Sequence, residues 1–125
     1  MKRLAAALAA GLLALPAWGQ EQVAQSGAAQ GTAAVLRALD KVNGHSMDAE
    51  IAVGGSGEMF GLLVTVSDCR YPAENPTGDA YAFLTVRNPA DKAVQFEGWM
   101  IASSPALNPL DHSRYDVWVI RCSSS

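Results

Sequence analysis

Residues 98–122 read GWMIASSPALNPLDHSRYDVWVIRC and contain two predicted strands with a connection between them. Along residues 115–122, side chains alternate between two faces, Trp118, Ile120 and Cys122 on one and Tyr115, Val117 and Val119 on the other. Because both faces are largely apolar, the pattern predicts a central strand covered on both sides. Trp118, which shares a face with Cys122, is predicted to belong to the core.

The connection before this strand predicts one short helical turn. Residues 103–110 read SSPALNPL, with Ser104 placed to cap the turn and Pro105 at its first position. Pro109 is expected to end it, because proline lacks the backbone N–H that a longer helix needs.

Upstream, the pattern is that of further short strands separated by turn-forming residues. Strands are predicted at residues 60–69, 80–87 and 94–102, the last interrupted at Gly98 by a bulge or a close backbone approach. Residues 32–42 fit both helical and strand spacing. The Asn43-Gly44 pair that follows, and the alternation that resumes at Met47, favour a hairpin. Five or six strands in all predict an all-β small barrel or sandwich.

The N-terminal residues predict export. Lys2 and Arg3 precede a short apolar run, and small residues then lead to Gly19. This order is that of a cleavable signal peptide over residues 1–19, and the expected location is the periplasm. Residues 20–31, QEQVAQSGAAQG, are expected to be a flexible tether, and residues 32–125 a single small β domain.

Charge and cysteine content restrict the partners and the compartment. Without Lys2 and Arg3 the chain has seven basic and twelve acidic side chains, a net charge of 7 − 12 = −5. An acidic chain without a basic run argues against nucleic acid as a partner and against stable membrane association. Cys69 and Cys122 lack the spacing of redox or zinc motifs, so in an exported chain they predict one intrachain disulfide.

Several stretches resemble a bacterial exported family, domain of unknown function 2155. The similar segments are LRALDKVNG, FGLLVTVSDCRY, GDAYAFLTV and FEGWMIASSPALNPLDHSRYDVWVIRC, together covering residues 35–122. The last is the most specific. The family usually has Thr in place of Asn43 and Pro in place of Ser113. The resemblance implies an envelope protein of Gram-negative type with a cysteine at each matched position, and it implies no established activity.

Catalytic and cofactor chemistry find little support in the residues. Ser103 or Ser104 could act with His112 and Asp111 as a hydrolase triad, but adjacent Asp and His side chains rarely face each other, and no G-x-S-x-G motif is present. His45 is far from His112, and the acidic residues lack the spacing of metal loops. No haem or nucleotide motif occurs. We therefore expect no enzyme activity, no metal and no cofactor.

Recognition is the remaining class, and the predicted binding surface combines aromatic and polar residues of the C-terminal stretch. Aromatic and Arg side chains are enriched where interfaces bind tightly. The loop at residues 70–79 should lie near this surface and add Tyr71, Asn75 and Asp79. The alternative is that these polar groups hold the turn itself, with Asp111 and Arg114 able to form an ion pair. The candidate surface consists of Trp99, Ser104, Asp111, His112, Arg114 and Tyr115.

The sequence thus predicts a non-enzymatic periplasmic domain that binds an envelope protein partner. An inner-membrane complex with a periplasmic face is one candidate partner. A carbohydrate- or peptidoglycan-binding module is an alternative, and it would need Trp99 and Tyr115 to form one flat, exposed platform. An enzyme of undetected type is the third class.

Overall fold

The computed structural model describes residues 27–124, which form two antiparallel sheets. The predicted signal segment and residues 20–26 of the predicted tether lie outside the described residues. No helix between residues 27 and 124 is long and apolar enough to cross a membrane. The strands are β1 Ala28–Gln30, β2 Ala33–Asp40, β3 Ser46–Ala52, β4 Ser56–Met59, β5 Leu62–Pro72, β6 Tyr81–Arg87, β7 Val94–Ile101 and β8 Tyr115–Ser123.

One sheet has five strands and the other has three. In the five-stranded sheet, β5 pairs with β6 on one side, and β7 pairs with the far side of β6. On its other side, β5 pairs with β4 near its start and with β1 near its end. In the three-stranded sheet, β2 lies between β3 and β8. The two sheets share no hydrogen-bonded strand pair, so the all-β prediction is confirmed as an open two-sheet arrangement and not as a closed barrel.

A single core fills the space between the sheets. Both sheets contribute fully buried aliphatic side chains, as the strand alternation requires. The largest of them are Leu36, Val117 and Val119 from the three-stranded sheet and Leu62, Val64, Val66, Leu84 and Val86 from the five-stranded sheet.

The ambiguous segment near the N-terminus forms the predicted hairpin. β2 pairs with β3 in register, from Ala33 opposite Ala52 to Leu39 opposite Ser46. The loop between them closes with the backbone N–H of Asp40 donating to the His45 carbonyl, and Gly44 adopts a φ of +80°. The Asn43-Gly44 signal outweighed the helical propensity of this segment because a left-handed position here favours glycine.

Two strands that the sequence pattern did not predict bring the total to eight in the described chain. β1, Ala28–Gln30, lies within the predicted tether, and β4, Ser56–Met59, begins within the glycine-rich residues 54–57, which the sequence pattern indicates as a turn. Neither has a strong strand pattern of its own. Each is extended because it pairs with the long β5, so tertiary pairing overrides weak local propensity.

The predicted central position of the last strand is wrong, since β8 pairs only with β2 and forms an edge of the three-stranded sheet. Its register shifts at Ile120, because Val119 lies opposite Leu36 while Arg121 lies opposite Val35. This bulge moves Cys122 onto the face of Val117 and Val119. Trp118 therefore does not share a face with Cys122 and is only partly buried against the core.

The outer side of β8 is covered by the connection from β7. The predicted helical turn is present as a 3₁₀ turn, Pro105–Leu107. Pro105, Ala106 and Pro109 line a cavity with Trp118. This cover explains why both faces of an edge strand are apolar. Ser104 precedes the turn as expected, but its side chain makes no capping hydrogen bond.

The irregularity predicted at Gly98 is a close approach and not a bulge. The bulge in β7 lies at Gln95, where the register with β6 shifts. At Gly98 the Asn108 side chain would lie 2.9 Å from any added Cβ atom. The same Asn108 amide donates a hydrogen bond to the Trp99 carbonyl, so the connection lies close against β7 at Gly98.

The disulfide joins the two sheets at one corner. Cys69 of β5 and Cys122 of β8 are bonded, as predicted, with their Cα atoms 5.8 Å apart. Gly31, where the chain crosses from β1 to β2, donates its backbone N–H to the Cys69 carbonyl at 2.7 Å. A Cβ atom on Gly31 would lie 2.9 Å from the Cys122 Cβ, so no side chain fits at this crossing.

We predict that replacing both cysteines, Cys69→Ala with Cys122→Ala, lowers the free energy of unfolding by about 4 kcal/mol, since the bond closes a long loop in the unfolded chain. The cysteines are 53 positions apart. Urea unfolding of the double variant and of the oxidised and reduced wild type would measure this. Reduced wild type should resemble the double variant. Equal stability of all three forms would contradict a stabilising role.

Candidate functional site

The outer face of the five-stranded sheet carries an aromatic and aliphatic surface. Strand register places Tyr81 beside Ile101 and Phe83 beside Trp99, on the side opposite the buried core residues of β6. The Phe83 and Trp99 rings meet edge to face, with centroids 5.5 Å apart. Trp99 keeps 41% of its surface exposed. These four residues are called the aromatic face below.

An open groove of about 290 Å³ borders the aromatic face. Its lining is almost entirely apolar, and its one charged member is Arg70 of β5. Arg70 lies opposite Tyr81 on one side and opposite Gln30 of β1 on the other. The groove therefore runs across four strands of the sheet, β1, β5, β6 and β7. The lining residues are Ala28, Arg70, Tyr81, Trp99 and Ile101.

Asp68, which is itself bonded by Gln30, holds Arg70 in place at the groove. Its Nε atom donates to Asp68 Oδ2 at 2.9 Å, and the Gln30 amide donates to Asp68 Oδ1 at 2.9 Å. Both carboxylate oxygens of Asp68 thus accept a hydrogen bond, which restricts the rotation of the guanidinium group.

The turn after β7 is tied to the loop before β6 through Asp79. Its carboxylate accepts hydrogen bonds from the backbone N–H and the hydroxyl of Ser103 and from the N–H of Ala80. Burial alone would raise the pKa of Asp79, but these donors outweigh burial and hold the pKa below its ordinary value. Of the three loop residues expected near the turn, Asp79 therefore accepts hydrogen bonds from the turn itself, at Ser103.

Arg114 pairs with Asp40 and not with Asp111. The guanidinium of Arg114 donates from Nε and Nη2 to both carboxylate oxygens of Asp40, at 2.9–3.2 Å. Asp40, at the end of β2, is only 3% exposed. Hydrogen bonds from Arg114 hold the pKa of Asp40 below its ordinary value, against the opposite effect of burial. The side chain of Arg114 thus connects the start of β8 to the end of β2.

His112 and Tyr115 also make contacts within the fold. The Nδ1 atom of His112 accepts the backbone N–H groups of Arg114 and Tyr115, at 2.9 and 3.1 Å, so it carries no proton in this arrangement. The Lys41 ammonium donates to the His112 carbonyl. The Tyr115 ring stacks on Phe60, with centroids 5.9 Å apart and planes 6° apart, and the Arg114 guanidinium lies 5.3 Å from its centroid.

Phe60 occupies the tight turn between β4 and β5, with a φ of +54°. This left-handed conformation is strained for a bulky side chain. The next residue, Gly61, leaves room for Tyr115, whose ring would lie 3.0 Å from an added Cβ atom. The stacked rings therefore fix this turn against β8.

The structure thus divides the predicted binding surface into two parts. Trp99 lies on the aromatic face, whereas His112, Arg114 and Tyr115 form a cluster with Asp40 and Phe60 at the start of β8. The contacts of His112 and Arg114 agree with the alternative interpretation, in which the polar groups of this connection hold the fold together. Ser104 is half-buried and Asp111 is exposed, both in the connection between β7 and β8.

The hydrolase triad considered from the sequence does not assemble. Ser103 bonds Asp79, and the Nδ1 atom of His112 is occupied by backbone donors. Across residues 27–124 no group of three or more His, Cys, Asp or Glu residues is placed to hold a metal ion.

Sequence reasoning did not identify the residues that surround Trp99. Tyr81, Phe83 and Ile101 were assigned only to strands, and Arg70 to an irregular loop. The signal was available in β6, where large aromatic residues alternate with the small or aliphatic core residues Ala82 and Leu84. An aromatic residue on the solvent side of a strand indicates a surface worth testing.

We predict that Arg114→Ala lowers the melting temperature by about 5–15 °C, because it leaves the buried Asp40 carboxylate without its partner. Arg37→Ala is the matched control. It removes another bidentate Arg–Asp pair, with Asp48, in which both side chains are about half exposed. Its effect should be much smaller, as for other surface pairs. Thermal unfolding followed by circular dichroism measures both, and equal shifts would contradict a structural role for Arg114.

We predict that Asp40→Asn reduces the acid sensitivity of the fold. The lowered pKa of Asp40 means that the folded state binds fewer protons than the unfolded state as the pH falls. Its contribution to stability is therefore complete above about pH 5 and is lost progressively below about pH 4. Urea unfolding between pH 7 and pH 2 should show a smaller loss for the variant. An equal loss of stability for the variant and the wild type would contradict the lowered pKa of Asp40.

Comparison with known proteins places the chain in a family. A model of the family described as "uncharacterized protein conserved in bacteria (DUF2155)" matches residues 34–122. No curated protein and no solved structure matches the chain. The match includes residues of every strand from β2 to β8. Both cysteines and the four residues of the aromatic face lie within it. The chain therefore belongs to the DUF2155 family of uncharacterised bacterial proteins.

Proposed function

We propose that this protein is a non-enzymatic domain of the bacterial envelope that binds a protein partner through the aromatic face. The observation that carries the proposal is the exposure of Trp99, which lies among Tyr81, Phe83 and Ile101 and near the half-exposed Arg70. Large exposed apolar groups are costly to leave in water and commonly mark interaction sites. Trp, Tyr and Arg are also the residues that contribute most to binding at protein interfaces.

The shape of the surface favours a protein over a sugar. Sugar stacking needs a flat, exposed aromatic platform, and the sequence offered Trp99 and Tyr115 for it. Tyr115 instead stacks on Phe60, and Trp99 meets Phe83 edge to face beside the aliphatic Ile101. A surface of mixed aromatic, aliphatic and guanidinium groups is typical of a protein contact.

The proposed compartment is the periplasm. The disulfide supports an oxidising environment, in which such bonds persist. The signal pattern of residues 1–19 supports export. A partner in this compartment would belong to the cell envelope, and we propose an inner-membrane complex with a periplasmic face as the partner class.

We predict that Trp99→Ala weakens capture of the envelope partner at least tenfold, the effect expected of a central interface residue. Chemical crosslinking in cells, followed by purification of the full chain and identification of the crosslinked residues, would measure capture. Val42→Ala is the matched control, because Val42 is 72% exposed in the β2–β3 loop and lies off the aromatic face.

Three outcomes would contradict the proposal. Equal capture by wild type and Trp99→Ala would exclude the aromatic face as the contact. Specific binding of purified peptidoglycan fragments, lost in Trp99→Ala, would favour the carbohydrate alternative. Turnover of a substrate by the purified chain would favour an enzyme.

A further inference from the structure

We infer that the groove beside Trp99 binds a segment of the partner protein in which an apolar side chain lies next to a carboxylate. The inference rests on the proposed function for the nature of the partner, and it adds the chemistry of the segment. It follows from the apolar walls of the groove and from the orientation of Arg70.

The open groove offers an apolar surface to a bound side chain. Tyr81, Trp99 and Ile101 form one side of the groove, and Ala28 of β1 lies at its other edge. The volume of about 290 Å³ is at the lower limit of small-molecule pockets, which span about 300–1,000 Å³. It suits one or two side chains of a peptide.

Arg70 provides the charge complementarity. Its Nε atom is used by Asp68, whereas within residues 27–124 neither of its Nη atoms makes a hydrogen bond. Arg70 lines the groove, and its side chain is 50% exposed. A guanidinium with two Nη groups available binds a carboxylate with defined geometry, and it does so at low entropic cost when its orientation is already restricted.

Asp68 does not cancel this preference. Both of its oxygens accept hydrogen bonds within the sheet, one from Gln30 and one from Arg70, and the side chain is only 17% exposed. It acts as the orienting partner of Arg70. The Nη groups of Arg70 are therefore the part of this ion pair that can bind an anion beside the apolar lining of the groove.

The test uses a displayed library of random dodecapeptides as the probe, selected against the full, oxidised chain. Wild type should enrich peptides with Asp, Glu or a free C-terminus within two positions of a Leu, Ile, Phe or Met. Arg70→Glu should enrich Lys or Arg at the same place. Arg87→Glu is the matched control, because it makes the same charge change on the same strand pair, opposite Leu63 and away from the groove. Arg87→Glu should therefore select the same acidic peptides as the wild type.

A synthetic peptide from the selection then gives the size of the effect. Replacing its acidic residue by the amide, or Arg70 by Gln, should weaken binding by about tenfold or more, and combining the two should add little. Thermal unfolding of each variant verifies that it is folded. Arg70→Gln keeps the test valid if Arg70→Glu is poorly folded, because it adds no negative charge beside Asp68.

The outcomes separate this inference from the proposed function. If no acidic pattern is enriched, or if purified muropeptides bind while no peptide is selected, the inference is overturned. If Trp99→Ala still abolishes capture of the envelope partner in that case, the proposed function survives. If acidic peptides are selected but Trp99→Ala leaves capture unchanged, the groove binds as inferred and the proposed function fails.

Discussion

The fold depends on the corner where Cys69 and Cys122 join the two sheets. Three chain segments meet there, because Gly31 lies against both cysteines as the chain crosses from β1 to β2. The crossing is fixed by hydrogen bonds from Gly31 and Thr32 to the carbonyls of Cys69 and Ser123. A small domain buries limited apolar area, so a covalent link between its layers is a large part of its stability.

The opposite end of β8 is held by polar contacts instead. Arg114 reaches the buried Asp40, His112 accepts two backbone N–H groups, and Tyr115 stacks on the strained Phe60 turn. The Arg114 and Tyr115 contacts connect the start of β8 to β2 and to the β4–β5 turn, whereas His112 orders the residues that lead into β8. An edge strand has only one hydrogen-bonded neighbour, so side chains must provide the rest of its attachment. This requirement accounts for the many polar residues in a short connection.

Because those polar residues are used within the fold, the proposed binding surface is the outer face of the other sheet. There Trp99 keeps 41% of its surface exposed beside the partly buried Tyr81 and Phe83, and Arg70 is held by Asp68 through its Nε atom. The outer face of the three-stranded sheet bears the Arg37–Asp48 ion pair and Trp118, beside which the connection from β7 lies. The outer face of the five-stranded sheet bears the Arg70–Asp68 ion pair beside the Phe83 and Trp99 rings.

Local pattern was sufficient for the strands with alternating apolar residues, for the Asn43-Gly44 hairpin and for the pairing of two cysteines, because each depends on nearby residues or on a simple count. It was insufficient for β1 and β4, which are extended only because β5 pairs with them, and for Trp118, which the bulge at Ile120 places on the opposite face from Cys122. A one-residue shift reverses every later side chain on a strand. The sequence alone therefore determined the class of fold and the pairing of the cysteines, whereas strand register between distant segments decided which side chains meet at a surface.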